Sequence, residues 1–357
     1  MLMFLVRRSG VMILTALCLT FIVFWLTNLT PNLNKLARTE ASSRMTDAEV
    51  ASWLSRNGFD RPLLVRYGEW LGVVPGWDGG DRPGRCAPLA APGEPPPRYC
   101  GILQGYWGFS TVFKADVGTI LGRSLSATGY LMLAVMLVMV PSALLLGVLA
   151  GMREGSRTDR TLSTAAIVST ATPEYVSGVI LIVVFASATT GLSPILAEWG
   201  WISGRTWFLG TATSATDKIT FWNFTLPVMT IALYGIGYIA RMTRASMAEV
   251  MTQQYIRTAR LKGVSFPQVV MRHALRNALI APFTVIMLQF PWLLNGVVIV
   301  ETLFNYKGFG WTLVQAAGNN DIEMLLACSV VAVFVVLVTQ LISDIGYVFL
   351  NPRIRVS

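Results

Sequence analysis

Apolar positions along the chain gather into six long runs separated by polar stretches, at about residues 10–30, 125–150, 162–190, 225–243, 279–300 and 324–350. About 20 predominantly apolar residues cross a bilayer core as a helix, so each run is long enough to span. The runs do not alternate, as the strands of a membrane β-barrel would. The pattern predicts an all-α polytopic membrane protein with six transmembrane helices. The third run, beginning TLSTAAIV, is too long for one perpendicular crossing and holds Pro173, which predicts a kinked or tilted helix.

Between the first two runs, residues 31–124 are polar and rich in Gly and Pro. Thr46 and Glu49 fit a capping box, Val50, Trp53 and Leu54 share a face, and Asn57-Gly58 closes a helix. A second helix is expected from near Pro62, carrying Leu63, Leu64, Tyr67, Trp70 and Leu71 and stopping at Gly72. Another helix–break–helix pattern lies at 255–282, YIRTARLKGVSFPQVVMRHALRNALIAP. Gly263 is its break, Ser265 and Gln268 fit a second capping box, and Pro267 suits the first turn.

Composition agrees with a membrane protein: 54% of the 357 residues are hydrophobic and 13% charged, with a mean hydropathy of +0.56. The net charge of +9 carries meaning through its placement. Arg7 and Arg8 precede the first run, the 151–161 loop is slightly basic, and Arg353 and Arg355 close the chain. The 241–276 loop has seven cations and one acid, whereas 191–224 is neutral and 301–323 acidic. The positive-inside rule therefore predicts N-in, C-in topology, with residues 1–30 as an uncleaved first span and 351–357 as a cytoplasmic tail. Residues 31–124 are expected outside as a small extracytoplasmic subdomain. Residues 125–350 form a five-helix core that includes a cytoplasmic loop at 244–278.

Other chemistry is sparse. No G-x-x-x-x-G-K-[ST] motif occurs, so no P-loop nucleotide site is expected, and no cofactor or metal is assigned to the chain. His273, the single histidine, leaves no His-rich metal site. Cys86 and Cys100 flank a proline-rich turn in a segment at about 75–105 that reads as an insertion. Free thiols, a metal pair or a disulfide are the options, and an oxidising compartment favours the disulfide. Trp199, Trp201, Trp207 and Trp222 suit an interfacial belt. Glu174, beside Pro173, is the acid furthest inside an apolar run. It lines a conduit, caps the backbone freed by the proline, or sits at the cytoplasmic edge. Asp344, near the end of the last run, reads as structural.

A basic helix pair such as 255–282 can lie on anionic lipid, bind nucleic acid or dock a soluble partner. The runs RTARLKG and HALRNALIAP resemble the EAA loop of permease subunits in binding-protein-dependent ABC importers, in the oligopeptide/dipeptide/nickel (OppB/DppB-like) branch. GFDRPLLVRY, the S-x-P-like break at 169–173, ETLF with GFG at 301–310, and the ending NPRIR are also similar to that family. Arg257 departs from the glutamate that names the loop, Tyr306-Lys307 from a residue and proline, and Asn351 from an aspartate. The resemblance is weak at 191–224 and absent at about 75–105.

That resemblance implies a type I ABC importer permease fold in the bacterial inner (cytoplasmic) membrane. The implied function is a non-catalytic subunit forming half of a path for di- or oligopeptides, with nickel, glutathione or an oligosaccharide as alternative cargoes. It further implies a homologous second permease, two ATPase subunits (or an ATPase homodimer) holding ATP and Mg, an extracytoplasmic binding protein and membrane lipid, but no nucleic acid. Arg257, Thr258, Ala259, Arg260, Lys262, Gly263 and Ser265 are the residues expected to couple to the ATPase. Pro173, Glu174 and Glu301 are candidates for the translocation path. A non-transporting sensor or scaffold on the same architecture is the remote alternative.

Overall fold

The structure, a computed structural model, describes residues 2–77, 84–90 and 95–350, without the side chains at 2–6, 290–295, 344 and 346–350. The expected tail 351–357, parts of the 75–105 insertion and the side chain of Asp344 thus lie outside the described residues. The chain divides into two compact units, Met1–Ser124 with Thr312–Leu337 and Leu125–Trp311 with Val338–Ser357.

The first unit begins with α1 (Leu2–Thr27), followed by α2 (Thr30–Glu40), α3 (Asp47–Arg56) and α4 (Leu63–Leu71). The Thr46 capping box forms, with the Thr46 amide donating to Glu49 Oε2 at 2.7 Å. Those bonds, the backbone one foremost, hold the Glu49 carboxyl below its ordinary value of 4.5. Helix α4 stops at Gly72, whose φ of 91° is the left-handed closure expected there. Tyr67 and Trp70 of α4 pack on Phe24 of α1, and the Thr20 and Tyr67 hydroxyls meet at 2.8 Å. A disulfide joins Cys86 to Cys100, with Cα atoms 5.4 Å apart. A two-stranded antiparallel ladder, β1 (Phe109–Ser110) with β2 (Ala115–Asp116), then leads into α5 (Val117–Gly151).

In the second unit, α6 (Arg157–Ala171), α7 (Glu174–Phe185) and α13 (Ile280–Leu303) pack against α9 (Phe221–Met251). The core holds Leu131, Val135 and Met139 of α5, Ile231 and Ile239 of α9, and Phe304 and Tyr306 beyond α13. Close approach between α5 and α9 depends on Gly147, where a Cβ would lie 2.4 Å from Thr243 Cβ. Shorter elements fill the connections: α8 (Leu192–Glu198), α10 (Gln254–Leu261), α11 (Phe266–Gln268), α12 (Leu275–Ala278) and α14 (Phe309–Gly318). The last helix is α15 (Ile322–Leu350).

Among the described residues, Arg7–Thr27, Val117–Gly151, Phe221–Met251 and Ile322–Ser343 are long and apolar enough to cross a membrane. Helix α13, 24 residues long, covers the expected fifth run, and its apolar stretch with described side chains is Ile280–Gln289. The third run departs from expectation. It is two helices, α6 and α7, bent by 107° rather than one kinked or tilted helix. Thr172 is extended at φ −90° and ψ 119°, as a residue before proline prefers, and Pro173 at ψ 146° stands outside the first turn of α7. A proline inside a helix only kinks it; here Thr172 and Pro173 itself leave helical conformation, so the chain breaks.

Candidate functional site

Helix α9 runs out of the second unit's core to Met251, and the chain then turns into α10, the first half of the basic segment. Ile256 and Ala259, three residues apart, face inward. With Met247, Val269, Val270, Ala274 and Ala278 they make a small core of their own. The opposite face carries Arg257, Thr258, Arg260 and Lys262, all exposed, and Leu261, 80% exposed. Six of the seven residues expected to couple therefore lie on the surface, and Ala259 is the packed one.

The break at Gly263 has a definite hydrogen-bond pattern. The Val264 amide donates to Ala259 O at 3.2 Å and the Gly263 amide to Arg260 O at 3.0 Å. These are the two bonds of a Schellman closure. Gly263 has φ +77°, and a Cβ there would meet nothing within 4 Å. Glycine is thus demanded by backbone conformation, not by a close neighbour. The second capping box does not form. Ser265 begins α11 through its carbonyl, which accepts from the Val269 amide at 2.9 Å, but its side chain makes no cap bond. From Val269 to Ala274 the chain widens into a π-helical turn that seats Val269, Val270 and Ala274 in the small core.

Side chains that carried no motif hold this assembly in place. Phe266 lies between the guanidinium groups of Arg153 and Arg260, whose carbons stand 5.4 and 5.7 Å from its ring centre. Asn277 Nδ2 donates to Tyr255 Oη at 2.8 Å, closing one half of the loop on the other. Ser246 Oγ donates to Ala278 O at 2.8 Å, tying α9 to α12. Arg244 Nε and Nη2 meet the two oxygens of Asp159 at 2.9 and 2.8 Å, so α9 is forked to the start of α6. Asp159 also accepts from the Gly155 amide and Ser163 Oγ. Sequence reasoning missed Arg153, Asp159, Arg244 and Ser246 as braces of the loop. They lie 85 positions apart in the case of Asp159 and Arg244, and no local pattern joins them.

The path candidates fall at two separate places. Glu174 opens α7, half-buried and without a hydrogen bond or ion pair among the described residues. The absent side chain at Gly296 leaves it room, since a Cβ there would stand 3.1 Å from Glu174 Oε2. Glu301 is fully buried near the end of α13. Thr128 Oγ1 donates to its Oε1 and the Trp311 amide to its Oε2 at 3.0 Å, while the Phe309 amide donates to Thr128 Oγ1 at 2.8 Å. This carboxylate organises the 305–311 turn.

Residues 143–356 match the family described as the binding-protein-dependent transport system inner membrane component. The chain belongs to that family. The matched span takes in the basic loop and every element that mounts it except the first part of α5. A di/tripeptide transport system permease protein, DppB, of Pseudomonas aeruginosa (strain UCBPP-PA14) is 31% identical over 364 residues, covering 99% of each chain. An oligopeptide transport system permease protein, AppB, of Bacillus subtilis (strain 168) is 28% identical over 314 residues, covering 87% of each. Among solved structures, the crystal structure of an amino acid ABC transporter with histidines aligns at TM-score 0.46 and 15% identity, over 64% of this chain and 93% of that one. As a member of this inner membrane component family with several membrane-capable helices, the chain is a multi-pass membrane protein.

Proposed function

We propose that this inner membrane component is one permease subunit of an ATP-driven importer of di- or oligopeptides, and that the loop around Gly263 couples it to an ATPase. One observation carries the coupling reading. The loop is a preformed knob on its own small core, with exposed cations and an exposed Leu261 around a left-handed glycine closure. Because α9 continues directly into it, and Arg244 with Asp159 and Ser246 with Ala278 brace its base, displacement of the knob passes to the spans. The names of the DppB and AppB relatives support a peptide cargo.

In this reading the chain has six spans with both termini in the cytoplasm. Residues 31–124 are extracytoplasmic, and α6 with α7 together make the third span. The partners are a homologous second permease, two ATPases that hold ATP and Mg, and an extracytoplasmic binding protein. Arg257, Arg260 and Lys262 meet acidic groups on the ATPase. Pro173 supplies the break that brings Glu174 to the path, where an unpaired carboxylate suits a peptide amine. Glu301 acts on the path from behind, by fixing the turn that follows α13.

The test is co-purification of ATPases with the tagged chain, native against Gly263→Trp, together with peptide uptake. The variant is expected to insert into the membrane but to lose ATPase binding or uptake. A folded native chain that retains no ATPase, or a variant with native uptake, overturns the coupling role.

A further inference from the structure

The first unit holds a half-open cavity of about 450 Å³ that plays no part in the coupling loop. It is large enough for a small-molecule group. Phe24, near the end of α1, and Leu326, in the second turn of α15, form an apolar wall. Arg61, Arg66 and Arg85 stand on the polar side. Since α1 ends at Thr27 and α15 begins at Ile322, the cavity lies level with the ends of two membrane-capable helices. Polar headgroups occupy that depth.

Glu40, Glu69, Asp321 and Glu323 lie on the lining with Arg61, Arg66 and Arg85, and not every charge is paired with another of them. Arg61 is committed to Glu69, with Nη2 2.7 Å from Oε2, and Arg85 Nη1 to Glu323 Oε1 at 2.9 Å. Asp321 is satisfied within its own turn by Ser110 Oγ and by the amides of Val112 and Met324. Arg66 is left over. Only 9% of it is exposed, and its nitrogens reach the neutral oxygens of Asn28 and Phe59 but no carboxylate at salt-bridge distance among the described residues. Burial, with Arg61 adding to it, pulls its guanidinium down to about 10. A buried cation without a counter-ion is costly unless an anion joins it. Among the described residues, Trp77 Nε1 and Arg85 Nε, both donors, and the acceptor Asn57 Oδ1, all on lining residues, also lack a hydrogen-bond partner.

We propose that this cavity binds an oxyanion, that of a phospholipid headgroup, with Arg66 as counter-ion and Trp77 Nε1 and Arg85 Nε as donors to it. A headgroup hydroxyl or ammonium completes Asn57 Oδ1, and the first part of an acyl chain lies along Phe24 and Leu326. The apolar wall continuous with two spans favours a lipid phosphate over the carboxylate of a free solute. The proposal does not depend on the import reading, because its readout is lipid retention and not transport.

The test uses the full chain with whatever subunits co-purify, in mild detergent, by native mass spectrometry with added phosphatidylglycerol, and separately with inorganic phosphate and with glycylglycine. Trp77→Phe keeps an aromatic ring beside Arg61 and removes the donor without touching a charge, so it guards against a folding defect in Arg66→Gln. Arg38→Gln, in α2 outside the lining residues, controls for loss of surface charge. Phosphatidylglycerol affinity is expected to fall about tenfold or more in Arg66→Gln, severalfold in Trp77→Phe, and to stay native in Arg38→Gln. Binding of phosphate or glycylglycine that is lost in the same two variants supports the oxyanion site but assigns it to a solute. Equal retention of phosphatidylglycerol in all four proteins, with neither solute bound, overturns the proposal.

Discussion

Asp159 has a side chain only 4% exposed and is held by both forks of Arg244. Removing one partner of such a pair strands the other. Arg244→Ala leaves a buried carboxylate without a counter-charge, an effect of about 3 kcal/mol or somewhat less, because Arg244 itself is partly exposed. Asp159→Asn should cost less, since its amide oxygen still accepts from the Gly155 amide, its NH2 can donate to Ser163 Oγ once that hydroxyl rotates, and the freed guanidinium reaches water. Unfolding midpoints of the purified variants check the order: Arg244→Ala lowest, Arg244→Lys and Asp159→Asn between it and the native chain. If Arg244→Ala unfolds with the native midpoint, the pair is not a brace of the loop. In the sequence these residues counted only as loop charges. Their meeting depends on how α6 folds back along α9, and no periodicity encodes that.

At the scale of single elements, two capping boxes with the same spacing had different outcomes. Thr46 and Glu49 close α3 reciprocally, whereas Ser265 and Gln268 do not close α11. The difference lies beyond the first turn of each helix. Helix α3 continues regularly and leaves its first turn free to obey local chemistry. After Gln268 the chain instead widens so that Val269 and Val270 reach a core. Packing therefore overrides the cap. Likewise, the proline at 173 was visible in the sequence as a perturbation, but the 107° bend was not, because its size is set by the helices packed on either side. The α3 cap gives a pH prediction. The Glu49 carboxyl sits below 4.5 in the folded chain, so its contribution to the helix is fully present above that value and is lost as pH falls through the folded one. Exchange of the Thr46 amide, corrected for the intrinsic rate, should accelerate below about pH 4.5 in the native chain and show no such transition in Glu49→Gln. A flat profile in both would mean that Glu49 does not hold the cap in solution.

At the scale of the whole molecule, the bent pair decides the topology by parity. A disulfide at Cys86–Cys100 belongs on an oxidising side, and α5 then delivers the 151–157 turn to the opposite side. If α6 and α7 together cross the membrane, residues 187–220 return to the disulfide's side and α9 carries the Gly263 loop back to the reducing one. If the pair is re-entrant, 187–220 stay inside and the basic 241–276 loop emerges outside, against the positive-inside rule. Charge and disulfide agree only when the pair crosses. In a background of Cys18→Ser and Cys328→Ser, which removes both free thiols, single cysteines at Thr158, Thr216 and Gln268 discriminate the two cases. A membrane-impermeant maleimide added to spheroplasts should label Thr216→Cys, while Thr158→Cys and Gln268→Cys react only after lysis. Labelling of Gln268→Cys from outside, with Thr216→Cys protected, would make the pair a re-entrant loop. The Gly263 knob would then face away from any ATPase, and the coupling role would fall with the topology.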